Sequence, residues 1–197
     1  MRQIRWLVIW AATICLSGCV GGSPKTFYHT LGAVSATGNA TAVKLSKPLA
    51  SLGVGPVYVP TLLDRQGVVL RTDRYTVEVS DFHEWGGELE DEFTGALAQR
   101  LQEKLPATTA VLTVPWELEQ TPQYQVVVRV AQFDGIPGQK AFLKGRWQLQ
   151  QAKTGRGVQG RQFNLQRAPA DETVAGLIRA QSQLVDDLAL EILQAFQ

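Results

Sequence analysis

The run Asp171 to Phe196, DETVAGLIRAQSQLVDDLALEILQAF, decides the fold. Val174, Leu177, Ile178, Leu184, Val185, Leu188, Ile192 and Phe196 recur at helical spacing, so one stripe of a long helix is apolar. Asp171 stands where a side-chain cap of the first turn belongs. The opposite face carries Asp186, Asp187 and Glu191 against Arg179, the wrong charge for lying on an anionic membrane. The stripe is therefore expected to cover a sheet inside the protein.

Upstream, Glu88 to Leu105 repeats the pattern with Leu89, Phe93, Ala96, Leu97, Leu101 and Leu105 on one stripe, and Pro106 stops it. Glu88, Glu90, Asp91 and Glu92 crowd its start while Arg100 and Lys104 lie near its end, the order that the helix dipole favours. The acidic group reads as a solvated cap. Around the two helices are runs of strand character. Phe27 to Leu31, Leu52 to Val59, Val68 to Leu70 and Tyr75 to Val79 come first, with Tyr75, Val77 and Val79 predicted on a buried face. Ala110 to Val114, Tyr124 to Phe133, Ala141 to Gln151 and Gly157 to Leu165 follow and are expected to be antiparallel neighbours, Asp134 to Gln139 forming a hairpin loop. The expected class is α+β: a largely antiparallel sheet covered by two amphipathic helices, in a single domain.

Composition narrows the function. The 197 residues are 45% apolar and 19% charged, with a net charge of +1, so nucleic acid is not an expected partner. Two cysteines and two histidines cannot build a multi-ligand zinc site or a disulfide scaffold. Gly155 to Gly160 fits a dinucleotide-binding spacing, but a strand rather than a helix follows it. Lys153-Thr154-Gly155 has no Ser-x-x-Lys partner, and His83-Glu84 has Gly87 where a zinc-binding helix needs its second His. Nothing assembles into a catalytic set, and no enzyme activity is expected.

The N-terminus sets the compartment. Arg2 and Arg5 precede an 11-residue apolar stretch, Trp6 to Leu16, about half the length that spans a bilayer. Leu16-Ser17-Gly18-Cys19 then resembles a bacterial lipobox, which implies cleavage before Cys19 and covalent diacylglycerol and N-acyl chains on that residue, with no other cofactor. Each buried methylene contributes about 0.8 kcal/mol, so two or three chains anchor stably. The expected division is a signal peptide over 1–18, a lipidated tether over 19–26 and a domain over 27–197. Gly32 to Ala50, small and polar, reads as a long or poorly ordered loop. Val20 stands where an inner-membrane retention Asp would be, which implies the periplasmic face of the outer membrane.

One further stretch carries a family resemblance. Val54-Gly55-Pro56-Val57-Tyr58-Val59-Pro60, Leu63-Asp64-Arg65, Val68 to Arg71, and Trp85 before an acidic helix resemble the PqiC-like ABC-type transport auxiliary lipoproteins. The likeness extends to the lipobox, to Phe27-Tyr28 with Leu31, to the strands around Tyr124 and Trp147, and to the terminal helix. Gln66 departs from it, since Pro often follows that Arg. The resemblance implies a non-enzymatic subunit of a Pqi-type MCE system that moves lipid between inner and outer membranes and supports envelope integrity. It implies an MCE-domain partner, contact with the inner leaflet of the outer membrane through the anchor, and, from the ring symmetry of MCE assemblies, a homo-oligomeric ring. The matching positions are Cys19 for lipid attachment and Pro60, Asp64, Arg65, Arg71 and Trp85. For these five the structural reading is Asp64 paired with Arg65 or Arg71 and Trp85 as a core plug; the functional one is partner contact. A periplasmic envelope-assembly or peptidoglycan-associated lipoprotein without lipid cargo is the alternative function.

Overall fold

A computed structural model describes residues 24–32 and 43–197. The signal peptide, Cys19, most of the tether and the centre of the loop after Gly32 lie outside the described residues.

Helix α1, Leu89–Lys104, and helix α2, Val174–Leu193, form where the two stripes predict them, and a 3-10 turn, Gln194–Phe196, ends the chain. Leu177, Leu184, Val185, Leu188 and Ile192 of α2 are inaccessible to solvent, as are Phe93, Leu97 and Leu101 of α1. Each such side chain contributes about 1.5–3 kcal/mol by leaving water, so the two stripes dominate the core.

The helices cover one face of a five-stranded sheet in the order β5-β2-β6-β7-β8: β2 is Ser51–Tyr58, β5 Ala110–Thr113, β6 Tyr124–Ile136, β7 Lys140–Gln151 and β8 Gly157–Arg167. Helix α1 packs on β2 and β5, α2 on β7 and β8, and the helices pack on each other. The longest ladders, β6 with β7 and β7 with β8, are antiparallel. The expectation that all four of the later strands are antiparallel neighbours fails at β5, which runs parallel to β2 instead. The chain reaches β5 only after crossing the sheet as α1, and a crossover returns a strand in parallel. The β6–β7 strands extend further than predicted, leaving a tight turn in which Gly138 takes φ +72°, a conformation that glycine adopts without a Cβ clash.

A second, three-stranded sheet has the order β1-β4-β3, with β1 Phe27–His29, β3 Gly67–Arg71 and β4 Val77–Trp85. Here the predicted buried alternation holds in part at Val77, which packs against the core, and fails at Tyr75 and Val79. Tyr75 is 86% exposed and lies in the turn before β4, where Asp73 Oδ1 accepts from the backbone N–H groups of Tyr75 and Thr76, and Val79 is exposed too. In this sheet β3 carries buried apolar residues, Val68 and Val69, while β4 is covered at Trp85 and in part at Val77, so its alternation does not mark a continuous core face.

Two joints fix this small sheet to the body. Arg71 donates from Nη2 and Nε to the two carboxylate oxygens of Asp134 on β6, at 2.6 and 3.1 Å, and also to the carbonyls of Asp73 and Arg74. The expected partner of Arg71, Asp64, takes no part. Beside that pair Trp85 stacks on Phe133 with ring centroids 6.2 Å apart, and Phe133 meets Phe93 of α1 edge to face at 5.5 Å.

The acidic residues of both helices do more than the sequence suggests. Glu92 accepts from the N–H of Leu31 and Glu90 from that of Val59, so the start of α1 staples two incoming segments as well as favouring the dipole. On α2, Glu191 accepts from the Trp147 indole, Asp187 from Arg167, and Asp186 from Lys104 at 2.8 Å. These carboxylates are committed within the protein, which together with the buried stripe excludes a membrane-lying α2. The cap of α2 is Thr173, whose side chain accepts from Gly176, and Asp171 holds Thr173 rather than capping. Asp171 is two residues too far upstream to reach the second or third helical N–H.

Replacing Asp134 by Ala leaves a largely buried guanidinium without its partner. The variant is expected to unfold in urea with a loss of about 2–3 kcal/mol, below the range for a fully buried pair because Arg71 keeps some solvent contact.

Candidate functional site

The residues of the family pattern meet at one place. Pro60 begins a turn in which its carbonyl accepts from the N–H of Leu63 at 2.8 Å and of Asp64 at 3.2 Å, while buried Leu63 plugs the turn into the core. The fixed φ of proline preorganises this reversal. Arg65 folds back on it, donating from Nε to the carbonyl of Leu62. The chain then joins the small sheet: the N–H of Trp85 donates to Gln66 and that of Gly86 to His29.

The result is an open cleft of ≈ 590 Å³ between this turn, the ends of β1 and β4, and the start of α1. Tyr28, Asp64, Arg65, Glu84, Trp85 and Glu88 help to line it. Trp85 is its floor, 4% exposed and held by Phe133. Asp64 and Arg65 stand exposed on its wall, and among the described residues neither forms an ion pair. The structure thus brings Asp64, Arg65 and Trp85 together, gives Pro60 a backbone role, and places Arg71 behind the cleft in the seam with Asp134. The hydrogen bond to Asp134 holds the guanidinium pKa of Arg71 above its ordinary value, ahead of the opposing effect of its burial.

Exposed apolar side chains lie on the elements that bound the cleft, and of them Tyr28 lines it while Phe27 turns to the opposite face of the small sheet and stacks on His83. Tyr28 at 69%, with Phe27, Leu62, Phe82 and Val79, lies on β1, β4 or the Pro60 turn. Large apolar groups left in water on one side of a molecule mark a contact surface.

Sequence spacing missed one arrangement. His29 Nε2 and His83 Nδ1 lie 2.9 Å apart, with the rings stacked at 5.1 Å and Phe27 stacked on His83 at 5.4 Å. The residues are 54 positions apart, and only the parallel β1–β4 pairing makes them neighbours. One ring nitrogen must accept, so at least one of the imidazoles is neutral. Burial, and then the neighbouring His83, holds the His29 pKa below its ordinary value. Among the described residues no group of three or more His, Cys, Asp or Glu could hold a metal ion. The cleft joins an aromatic floor, a charged wall and the exposed ring of Tyr28, an arrangement suited to holding a protein segment.

Residues 30–193 match the family described as the ABC-type transport auxiliary lipoprotein component. No curated protein matches the chain. Among solved structures, an uncharacterized protein is similar at 20% identity with a TM-score of 0.70, over 88% of this chain and 100% of its own. Protein XCC0632 from Xanthomonas campestris is similar at 16% identity with a TM-score of 0.62, over 78% of this chain and 88% of its own. At these identities the likeness concerns the fold.

The histidine pair makes stability pH-dependent. Because the folded pKa of His29 lies below the unfolded value near 6.5, the native state binds fewer protons in the window between them. The stabilisation is present in full above about pH 6.5 and is lost as the pH falls through the folded pKa. Urea midpoints measured from pH 7.5 down to pH 5 should fall, and His29→Gln should flatten that decline.

Proposed function

The chain belongs to the ABC-type transport auxiliary lipoprotein component family, and from that premise we propose that it is the outer-membrane lipoprotein subunit of a Pqi-type MCE system. In this reading residues 1–18 are a lipoprotein signal peptide, acyl chains on Cys19 hold the protein at the periplasmic face of the outer membrane, and residues 19–26 tether the domain of residues 27–197. Seven residues between Cys19 and Phe27, when extended, let the domain stand roughly 25 Å from the bilayer. Among the described residues no helix is long and apolar enough to cross a membrane.

The function is non-enzymatic docking. An MCE partner that carries lipid between the inner and outer membranes binds the cleft, with Asp64 and Arg65 setting charge complementarity and Tyr28, Leu62 and Phe82 supplying apolar contact. The observation that carries this reading is the convergence of Asp64, Arg65 and Trp85 on one open cleft that exposed Tyr28 also lines. Copies of the chain arranged as a ring match the symmetry of such a partner.

Two variants test the reading. Cys19→Ala should move the protein from the outer-membrane fraction to the soluble periplasmic fraction. Asp64→Lys combined with Arg65→Glu should leave the urea midpoint unchanged, since both side chains are exposed, while lowering recovery of the MCE partner after crosslinking in cells. Capture of envelope-assembly proteins in place of an MCE protein would keep the anchor and remove the transport role.

A further inference from the structure

The face of the five-stranded sheet turned away from the helices carries a cationic groove. Val128 and Val130 are buried beneath the helices, so the pleat turns Arg129 outward. On β7 Leu143 and Trp147 point inward and Lys144 and Arg146 outward. Arg129 and Arg146 are direct cross-strand partners, and Gln162 on β8 extends the row beyond Arg146, with Asn164 opposite Lys144. Together they line an open groove of ≈ 660 Å³.

Like charges placed directly opposite on neighbouring strands destabilise a sheet. Among the described residues these cations meet aromatic faces rather than carboxylates, Arg129 over the Tyr58 ring at 4.3 Å and Lys144 over that of Phe142 at 5.4 Å. Among the described residues no carboxylate lies within ion-pair distance of Arg129, Lys144 or Arg146. The remaining residues, 1–23 and 33–42, contain no Asp or Glu. The sole acid in β6, β7 or β8 is Asp134, which is buried and held by Arg71.

We propose that this groove binds an acidic glycan, a hydroxyl-rich polymer bearing carboxylates, whose charge offsets the Arg129–Arg146 repulsion. Guanidinium groups suit carboxylates, and the exposed amides of Gln162 and Asn164 can both donate to and accept from hydroxyls. A membrane surface or a protein interface needs apolar contact as well. No residue lining the groove is an exposed large apolar one, and neighbouring Tyr58 is already covered by the Arg129 guanidinium at 4.3 Å. The envelope location comes from the reading above; the test uses purified components, so its outcome does not depend on where the chain resides or on its MCE partner.

The full-length chain in detergent micelles is pelleted with purified peptidoglycan sacculi at low and high salt. A triple variant, Arg129→Gln, Lys144→Gln and Arg146→Gln, is compared with it. The wild type should pellet at low salt and be released at high salt, and the variant should bind roughly tenfold more weakly or worse, as loss of three charge-assisted contacts implies. Removing the repulsion should leave the variant's Tm unchanged or higher, which separates lost binding from lost folding. Equal pelleting of both forms, or no pelleting of the wild type, overturns the proposal. So does tighter binding to immobilised polyglutamate than to sacculi, which would assign the groove to an acidic protein.

Discussion

Arg71 and Asp134 meet at the seam between two sheets of unequal size, and the cleft exists because they do. The small sheet puts Val68, Val69 and Trp85 into the common core, and apolar burial alone does not fix its orientation on the longer ladders. A bidentate guanidinium–carboxylate pair supplies orientation as well as attraction, with both side chains largely out of water. Trp85, Phe133 and Phe93 add apolar contact along the same seam. Together they set the height of Trp85 relative to the Pro60 turn and hence the shape of the space between them.

Both helices were legible in the sequence, because a stripe repeated over four or five turns has few other solutions. The β6–β8 meander was legible for the same reason in its own period. What stayed hidden depends on residues far apart in the chain. The Asp64–Arg71 pairing is the economical guess from sequence, yet Asp134 lies 63 positions from Arg71 and is chosen by how β3 docks on β6. The parallel place of β5 and the His29–His83 contact likewise follow from strand order, which no local pattern encodes. The buried alternation assigned to Tyr75, Val77 and Val79 fails at Tyr75 and Val79 but not at Val77, because this strand is covered at particular positions and not along a continuous core face. Of the site, Trp85 was legible as a core plug; that it also floors a cleft shared with Asp64 and Arg65 needed the fold.

The molecule presents different chemistry on different sides. The cleft and the small sheet expose aromatic and acidic groups, while the uncovered face of the large sheet exposes arginine, lysine and amides without a carboxylate. The helices form the remaining side, where Glu90, Glu92, Asp186, Asp187 and Glu191 are held by internal partners. A lipoprotein of a transport system that must hold position in the envelope and engage a second protein can use two such surfaces at once. Neither requires a reactive group, in keeping with a family of transport auxiliaries.

The central claim is that the cleft side receives the transport partner. A photoreactive phenylalanine analogue in place of Tyr28 on the cleft rim, compared in living cells with the same analogue in place of Tyr75, tests it most directly, since both positions are exposed on the small sheet and its turn. The account predicts a covalent adduct with an MCE-domain protein from position 28 and none from position 75. An adduct from position 75 alone, or capture of the MCE protein only by the analogue at Gln162 on the opposite sheet, would contradict it.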